Sequence, residues 1–229
     1  MMLKAKVTHV ILQIKNNDFF ELLAQTLSLM KSKAQININD RFLKNMLNFL
    51  NEKDQKLFYK IHKNLLLFVN QKTKLSKKFK GLSDWGEYAN FANDITALRD
   101  RLFKQRELID EFIEANPAGL DEQELSVTKN WKNAVTGNFV ILKHLKNHSI
   151  FLNKRNAYGV IGLMESIEEI IPKYYLPIFV DTVLIPFSGK IVYDGLFQTS
   201  NVIMGNGYIK SFTDDYNSIK KAGGIITSL

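Results

Sequence analysis

The stretch Leu176–Leu196, LPIFVDTVLIPFSGKIVYDGL, is the densest run of β-branched and aromatic residues in the chain. Its pattern predicts one strand over Phe179–Ile185 and a second over Lys190–Leu196. Pro186 lacks an N–H and biases Ile185 away from helical dihedrals, so the first strand is expected to end there. Gly189 can take the positive φ of a tight hairpin, and Asp194-Gly195 is a second turn signal. If the loop has an even length and Ile185 faces Lys190, Asp181 lies directly across from Asp194. Like charges opposed on a sheet are unfavourable. A metal, a bound cation, a shared proton or a nearby lysine would have to offset them. Asp181 and Asp194 are therefore the weak catalytic candidates, in the setting of a metal-dependent enzyme. A bulged three-residue loop would separate them instead, and so would an Asp194 that turns with Gly195 into solvent.

Before this hairpin the periodicity is helical. Asn16, Asn17 and Asp18 can cap a helix from Phe19 carrying Leu23, Leu27 and Met30, and Asn39 or Asp40 one carrying Phe42, Leu43, Met46, Leu47 and Leu50. Asn51 opens a third, in which Leu57, Phe58, Ile61, Leu65, Phe68 and Val69 recur at spacings of three and four. Asp84 to Ala115 reads as helix again and stops at Asn116-Pro117-Ala118-Gly119. Asp121 and Glu124 form a capping box for a helix expected through Trp131 and Val135 to Gly137. After Gly137 the period changes to short strands at Phe139–Leu142, Ser149–Leu152 and Tyr158–Ile161. A short helix spans Glu165–Ile171, the hairpin follows, and a helix from Ile209 to Lys221 leads to a last strand at Ile225–Thr227. The fold class is α+β: a helical N-terminal half, then a small, mainly antiparallel sheet with helices. Three regions are expected: a basic helical region over 1–80, a helical region over 81–137 and a sheet region over 138–229.

Charge is unevenly placed along the 229 residues. Residues 1–80 carry 16 Lys+Arg and 5 Asp+Glu, whereas the remainder has a slight acidic excess. Gln71–Lys80, QKTKLSKKFK, holds five lysines and no acid, and reads as a linker. Lys72, Lys74, Lys77, Lys78 and Lys80 could contact phosphates, and Lys143 and Lys146 form a second basic cluster among aromatic strands. A solvated lysine-rich face explains the same pattern. The lack of arginine in the linker favours that second explanation.

The chain has no cysteine, which removes disulfides, thiol catalysis and cysteine-ligated zinc and suits a cytoplasmic setting. No signal peptide is read at the N-terminus, and no run approaches the ~20 apolar residues of a membrane span, so no membrane partner is expected. Gly205-Asn206-Gly207 before a helix is too short for a dinucleotide fingerprint and reads as a turn. His144 and His148 are four apart, but strand structure there would break the shared face that a metal pair needs. No nucleophile elbow, P-loop or Ser–His–Asp signature is present, and no cofactor or metal is expected.

Several segments, NPAGL (Asn116–Leu120), KHLKNHSIFL (Lys143–Leu152), YGVIGL (Tyr158–Leu163), LIPFSGKIVYDGL (Leu184–Leu196) and GIITSL (Gly224–Leu229), resemble a family of uncharacterised bacterial proteins. Trp131 and FYKIHKNLLLFVNQK (Phe58–Lys72) extend the resemblance over roughly residues 57–229. It departs at Lys143, where arginine is expected before the histidine, and at MGNGYIK, where a richer glycine run is expected. The resemblance implies a bacterial protein and supplies no activity or site. Two functional classes follow. The leading one is a non-enzymatic binding or regulatory protein with nucleic acid as a candidate partner through its Lys-rich N-terminal half. The alternative is a metal-dependent enzyme using Asp181 and Asp194.

Overall fold

The structure is a computed structural model that describes residues 48–79, 91–153, 156–199 and 204–229. The two helices expected from Phe19 and Phe42 lie outside the described residues, apart from Leu50 at the end of the second.

Helix α1 (Glu52–Thr73) starts where the Asn51 side chain accepts the Asp54 N–H at 3.1 Å. Its apolar stripe buries Phe58, Ile61, Leu65, Phe68 and Val69. The helix runs three residues into the lysine-rich stretch and ends in a left-handed cap at Lys74. The residues beyond are docked. Asn70 Nδ2 donates to the carbonyls of Ser76 and Phe79 at 3.0 and 2.6 Å, and Asn70 Oδ1 accepts the Ser76 N–H at 2.8 Å. Phe79 is buried, so its ring and the Asn70 side chain fold the segment back on α1.

The long helical pattern ending at Ala115 divides, as far as it is described, into α2 (Ala92–Lys104) and α3 (Glu107–Ala115). At the break, the Arg106 guanidinium donates to the carbonyls of Lys132 and Ala134, tying α3 to the entrance of the sheet. Helix α4 (Glu122–Asn130) has the expected capping box between Asp121 and Glu124. It stops short of the expected Gly137. Trp131 begins a 3-10 turn, with its ring buried 5.2 Å from Phe58 and 6.0 Å from His62. Val135 is already in strand, paired with Leu184. Packing of the indole and the β-branched pair Val135-Thr136 override the helical period.

The strands are β1 (Val135–His144), β2 (Ser149–Asn153), β3 (Asn156–Ile161), β4 (Ile178–Phe187), β5 (Lys190–Tyr193) and the short β6 (Gln198–Thr199) and β7 (Ile225–Ile226). A short helix, α5 (Ile167–Ile170), lies between β3 and β4, and α6 (Asn206–Lys221) precedes β7. The protein is thus mixed α+β. The sheet, however, is a closed five-stranded barrel rather than a small antiparallel sheet. Its order is β1-β2-β3-β5-β4, and β4 pairs back to β1. Closure depends on β1, whose Val135–Ile141 pairs β4 while Val140–His144 pairs β2, with a register shift between Ile141 and Lys143. The β3–β5 pair is parallel and comes from the crossover through α5.

The hairpin register also differs from expectation. Strand β4 continues to Phe187, which pairs with Lys190 across a two-residue turn with Ser188 at φ 50° and Gly189 at φ 73°. Both angles are positive, as a type I′ turn requires. Pro186 remains in the strand. Next to a two-residue turn the flanking pair exchanges hydrogen bonds and the following pair does not. Pro186, opposite Ile191, therefore needs no N–H toward β5, and the pairing with β1 reaches only Leu184.

Register and side-chain alternation place Phe139, Ile141, Phe151, Tyr158, Val180 and Ile191 on the interior face. There Phe139 meets Phe151 and Tyr158 edge to face, with centroids 6.2 and 5.9 Å apart. The outer face is covered in two patches. Phe187 packs on Phe58 of α1, and one continuous buried cluster joins α1, α2 and α3 to β4 and β5. The second patch, Val140, Ile150, Leu152 and Ala157, lies under Tyr216, Phe212 and Ile219 of α6. As far as they are described, the regions 1–80, 81–137 and 138–229 share the first of these clusters.

His62 is fully buried in that cluster, stacked on Phe58 at 5.5 Å. Burial, reinforced by the Arg99 charge, pushes its pKa from 6.5 down to about 3. The folded state then binds fewer protons than the unfolded state between those values. Stability contributed by neutral His62 is complete above about pH 6.5 and is lost as pH falls, at about 1.4 kcal/mol per unit. Denaturant unfolding of wild type and His62→Phe over this range is expected to show a shallower acid decline in the variant. Identical pH profiles would contradict the assignment.

Candidate functional site

Asp181 and Asp194 are brought into one cluster, but not as a cross-strand pair. In the observed register Asp194 lies beyond the end of β5, and Asp181 pairs with Asn138 of β1 and Gln198 of β6. The guanidinium of Arg99, from α2, joins them. Its Nη1 donates to Asp194 Oδ2 at 3.0 Å, and its Nη2 reaches Asp181 Oδ1 at 3.5 Å. Nε lies 2.7 Å from Asp100 Oδ1. Arg99 and Asp194 are both fully buried, whereas the Asp181 side chain is 39% exposed.

The remaining valences of Asp194 are filled by protein. Its Oδ1 accepts the Thr182 hydroxyl at 2.9 Å and the Leu196 N–H at 3.2 Å. Burial raises the Asp194 pKa, against Arg99, Thr182 and Leu196, which favour the ionised form. Asp181 is also raised, first by burial and then by Asp100, against Arg99. The Arg99 guanidinium lies between the two carboxylates, and Asp194 is fully buried. Among the described residues no group of three or more His, Asp or Glu is placed to hold a metal. The cluster is an ion-pair network centred on Arg99.

The signal for Arg99 was present but not read. It lies on the apolar stripe of Ile95, Leu98 and Leu102, where a charged residue needs a buried partner from elsewhere.

The candidate phosphate contacts fall in two places. In the first, Lys72 is engaged by Glu111 at 2.8 Å and lies over the Phe68 ring. Lys74 is the left-handed cap of α1, Lys77 and Lys78 are exposed, and Lys80 lies outside the described residues. In the second, Lys143 and Lys146 flank the β1–β2 turn. Lys143 Nζ sits 3.9 Å from the Tyr216 ring centroid. Burial, then the charge of Lys220, lowers its pKa. Lys146 and Lys220 are exposed.

His144 and His148 do not form a ligand pair. His144 Nδ1 meets Ser149 Oγ at 2.7 Å and Nε2 meets the Ile171 carbonyl at 2.8 Å. The His148 ring fills the space over Gly159, where a Cβ would lie 2.8 Å from it. The link from His144 to Ile171 fixes the β3–β4 connection against the β1–β2 end of the barrel. Lys173, Tyr174 and Tyr175 follow on that connection, all exposed. The two tyrosines were not singled out from the sequence, where they appear only as an aromatic pair between Pro172 and Pro177. Gly205 caps α6 without a side-chain bond, in keeping with a turn. No helix among the described residues is long and apolar enough to cross a membrane.

Comparison with protein-family models, with curated proteins and with solved structures finds no match to this chain.

The cluster predicts unequal carboxylates. Asp194→Asn removes the buried counter-charge of Arg99 and is expected to cost about 3–5 kcal/mol. Asp181→Asn removes a long, half-exposed contact and is expected to cost no more than about 1 kcal/mol. Chemical denaturation with and without Mg²⁺ measures both, and no dependence on the ion is expected. Stabilisation of wild type by Mg²⁺ that is lost in Asp181→Asn would contradict this account.

Proposed function

We propose that this is a non-enzymatic nucleic-acid-binding protein that holds a phosphodiester strand at the β1–β2 end of its barrel. The observation that carries the reading is the closed order β1-β2-β3-β5-β4, with lysines gathered at the β1–β2 turn. A five-stranded Greek-key barrel is the architecture of the OB-fold, which offers its second and third strands and its β1–β2 loop to oligonucleotides. This is an analogy of fold, and the charge of the particular side chains must supply the function.

The chemistry at that end fits. Lys146, Lys173 and Lys220 are exposed cations at this end, and Lys143, over the Tyr216 ring, is near enough to Lys220 to feel its charge. Glu168 partly offsets them through an exposed pair with Lys173 at 2.9 Å, which water and salt weaken. The outer face of β2 and β3 is covered by α6, so a ligand is left the turn and the adjoining β3–β4 connection. The net charge of +8 favours encounter with a polyanion.

Polarisation titration of a labelled oligonucleotide at two salt concentrations tests the reading. Affinity is expected to fall with salt, by about 0.7 in log–log slope for each phosphate contact to a single strand. Lys146→Ala is expected to weaken binding and to reduce that slope by about the same amount. Absence of binding at low salt would remove the proposal.

A further inference from the structure

Tyr174 and Tyr175 are the two adjacent large side chains most at odds with their surroundings. They are 78% and 58% exposed, yet their ring centroids lie only 4.4 Å apart. The two rings pack against each other at an interplanar angle of 46°. Their backbone is fixed as well. Residues Lys173–Tyr175 form a 3-10 turn, with the Tyr175 N–H on the Pro172 carbonyl at 3.0 Å. The turn is moored by the His144 ring on Ile171, two residues before it. This places a rigid aromatic ledge at the lysine-bearing end of the barrel. A base offers a π-face to such rings whatever its identity, while its phosphates follow neighbouring cations. A paired base in a duplex has both faces stacked already and cannot use the ledge.

We propose that Tyr174 and Tyr175 form a base-stacking platform that makes this surface selective for single-stranded nucleic acid, Lys146 and Lys173 following the backbone. This rests on the nucleic-acid reading above and adds to it the class of strand and the residues that distinguish it.

The test uses a short fluorescein-labelled oligothymidine at low salt, with the full chain. The Tyr174→Ala/Tyr175→Ala variant is expected to lose about ten-fold or more in affinity with its salt slope unchanged, since stacking releases no counterions. Tyr174→Phe/Tyr175→Phe keeps the rings and is expected to bind like wild type. Both side chains are exposed, so thermal unfolding of the variants is expected to match wild type. An unlabelled duplex is expected to compete poorly. A second measurement needs no variant: photo-cross-linking of a bromouracil-substituted strand to wild type is expected to label the peptide holding Tyr174 and Tyr175. Wild-type affinity in the alanine variant, or cross-links confined to other peptides, would overturn the platform and leave the nucleic-acid reading standing. No binding by wild type would overturn both.

Discussion

Arg99 carries a positive charge to a site with no solvent exposure, and the elements around it are arranged to neutralise that charge. The guanidinium comes from α2. Its counter-charges come from the end of β5, from β4 and from the neighbouring residue on its own helix. Desolvating an arginine and an aspartate costs several kcal/mol for each ion, and their attraction only repays this when geometry and extra hydrogen bonds are good. Thr182 and the Leu196 N–H provide those bonds. The net stability of such a network can be small. Its consequence is geometric: the apolar stripe of α2 could slide or rotate on a greasy barrel wall, but only one docking satisfies Arg99. His62 feels the same constraint, since the Arg99 charge helps keep it neutral in the core.

Among the described residues, the helices leave the barrel end opposite the β4–β5 turn uncovered. The covering of the outer wall is nearly complete, with α1–α3 over β4 and β5 and α6 over β1–β3. Neither patch reaches the exposed Lys146, Lys173, Tyr174 and Tyr175. Their common location follows from topology. Strand β1 ends and β4 begins at the same level, Ile141 facing Ile178, so the β1–β2 turn and the β3–β4 connection must emerge together.

Local signals in the sequence were read well and long-range ones were not. Asn51, Asp121 and Pro172 punctuate helices through bonds or sterics confined to a few neighbouring residues, and each marks a boundary in the structure. The strand-forming residues of β1–β5 were recognisable for the same reason. Barrel closure was not, because it depends on β1 pairing two different partners and on a parallel β3–β5 pair. No short window of sequence encodes either. Pro186 misled because its effect depends on which edge its nitrogen faces, which only the register decides. Asp181 and Asp194 were expected to need compensation if they faced each other across the hairpin, a pairing the register does not make. The cation that joins them, Arg99, lies 82 and 95 residues away in the chain, beyond the reach of any local signal. Lys72, one of the candidate phosphate contacts, pairs with Glu111 from a helix distant in sequence.

Two lysine-rich places compete for the role of ligand surface, the stretch after α1 and the β1–β2 end of the barrel. Hydrogen exchange of the chain with and without a bound single-stranded oligonucleotide separates them directly. The account predicts slowed exchange over residues 144–148 and 172–176, with residues 71–79 and the helices α1–α3 unchanged. Protection confined to residues 71–79, with the barrel end exchanging as in the free protein, would contradict it.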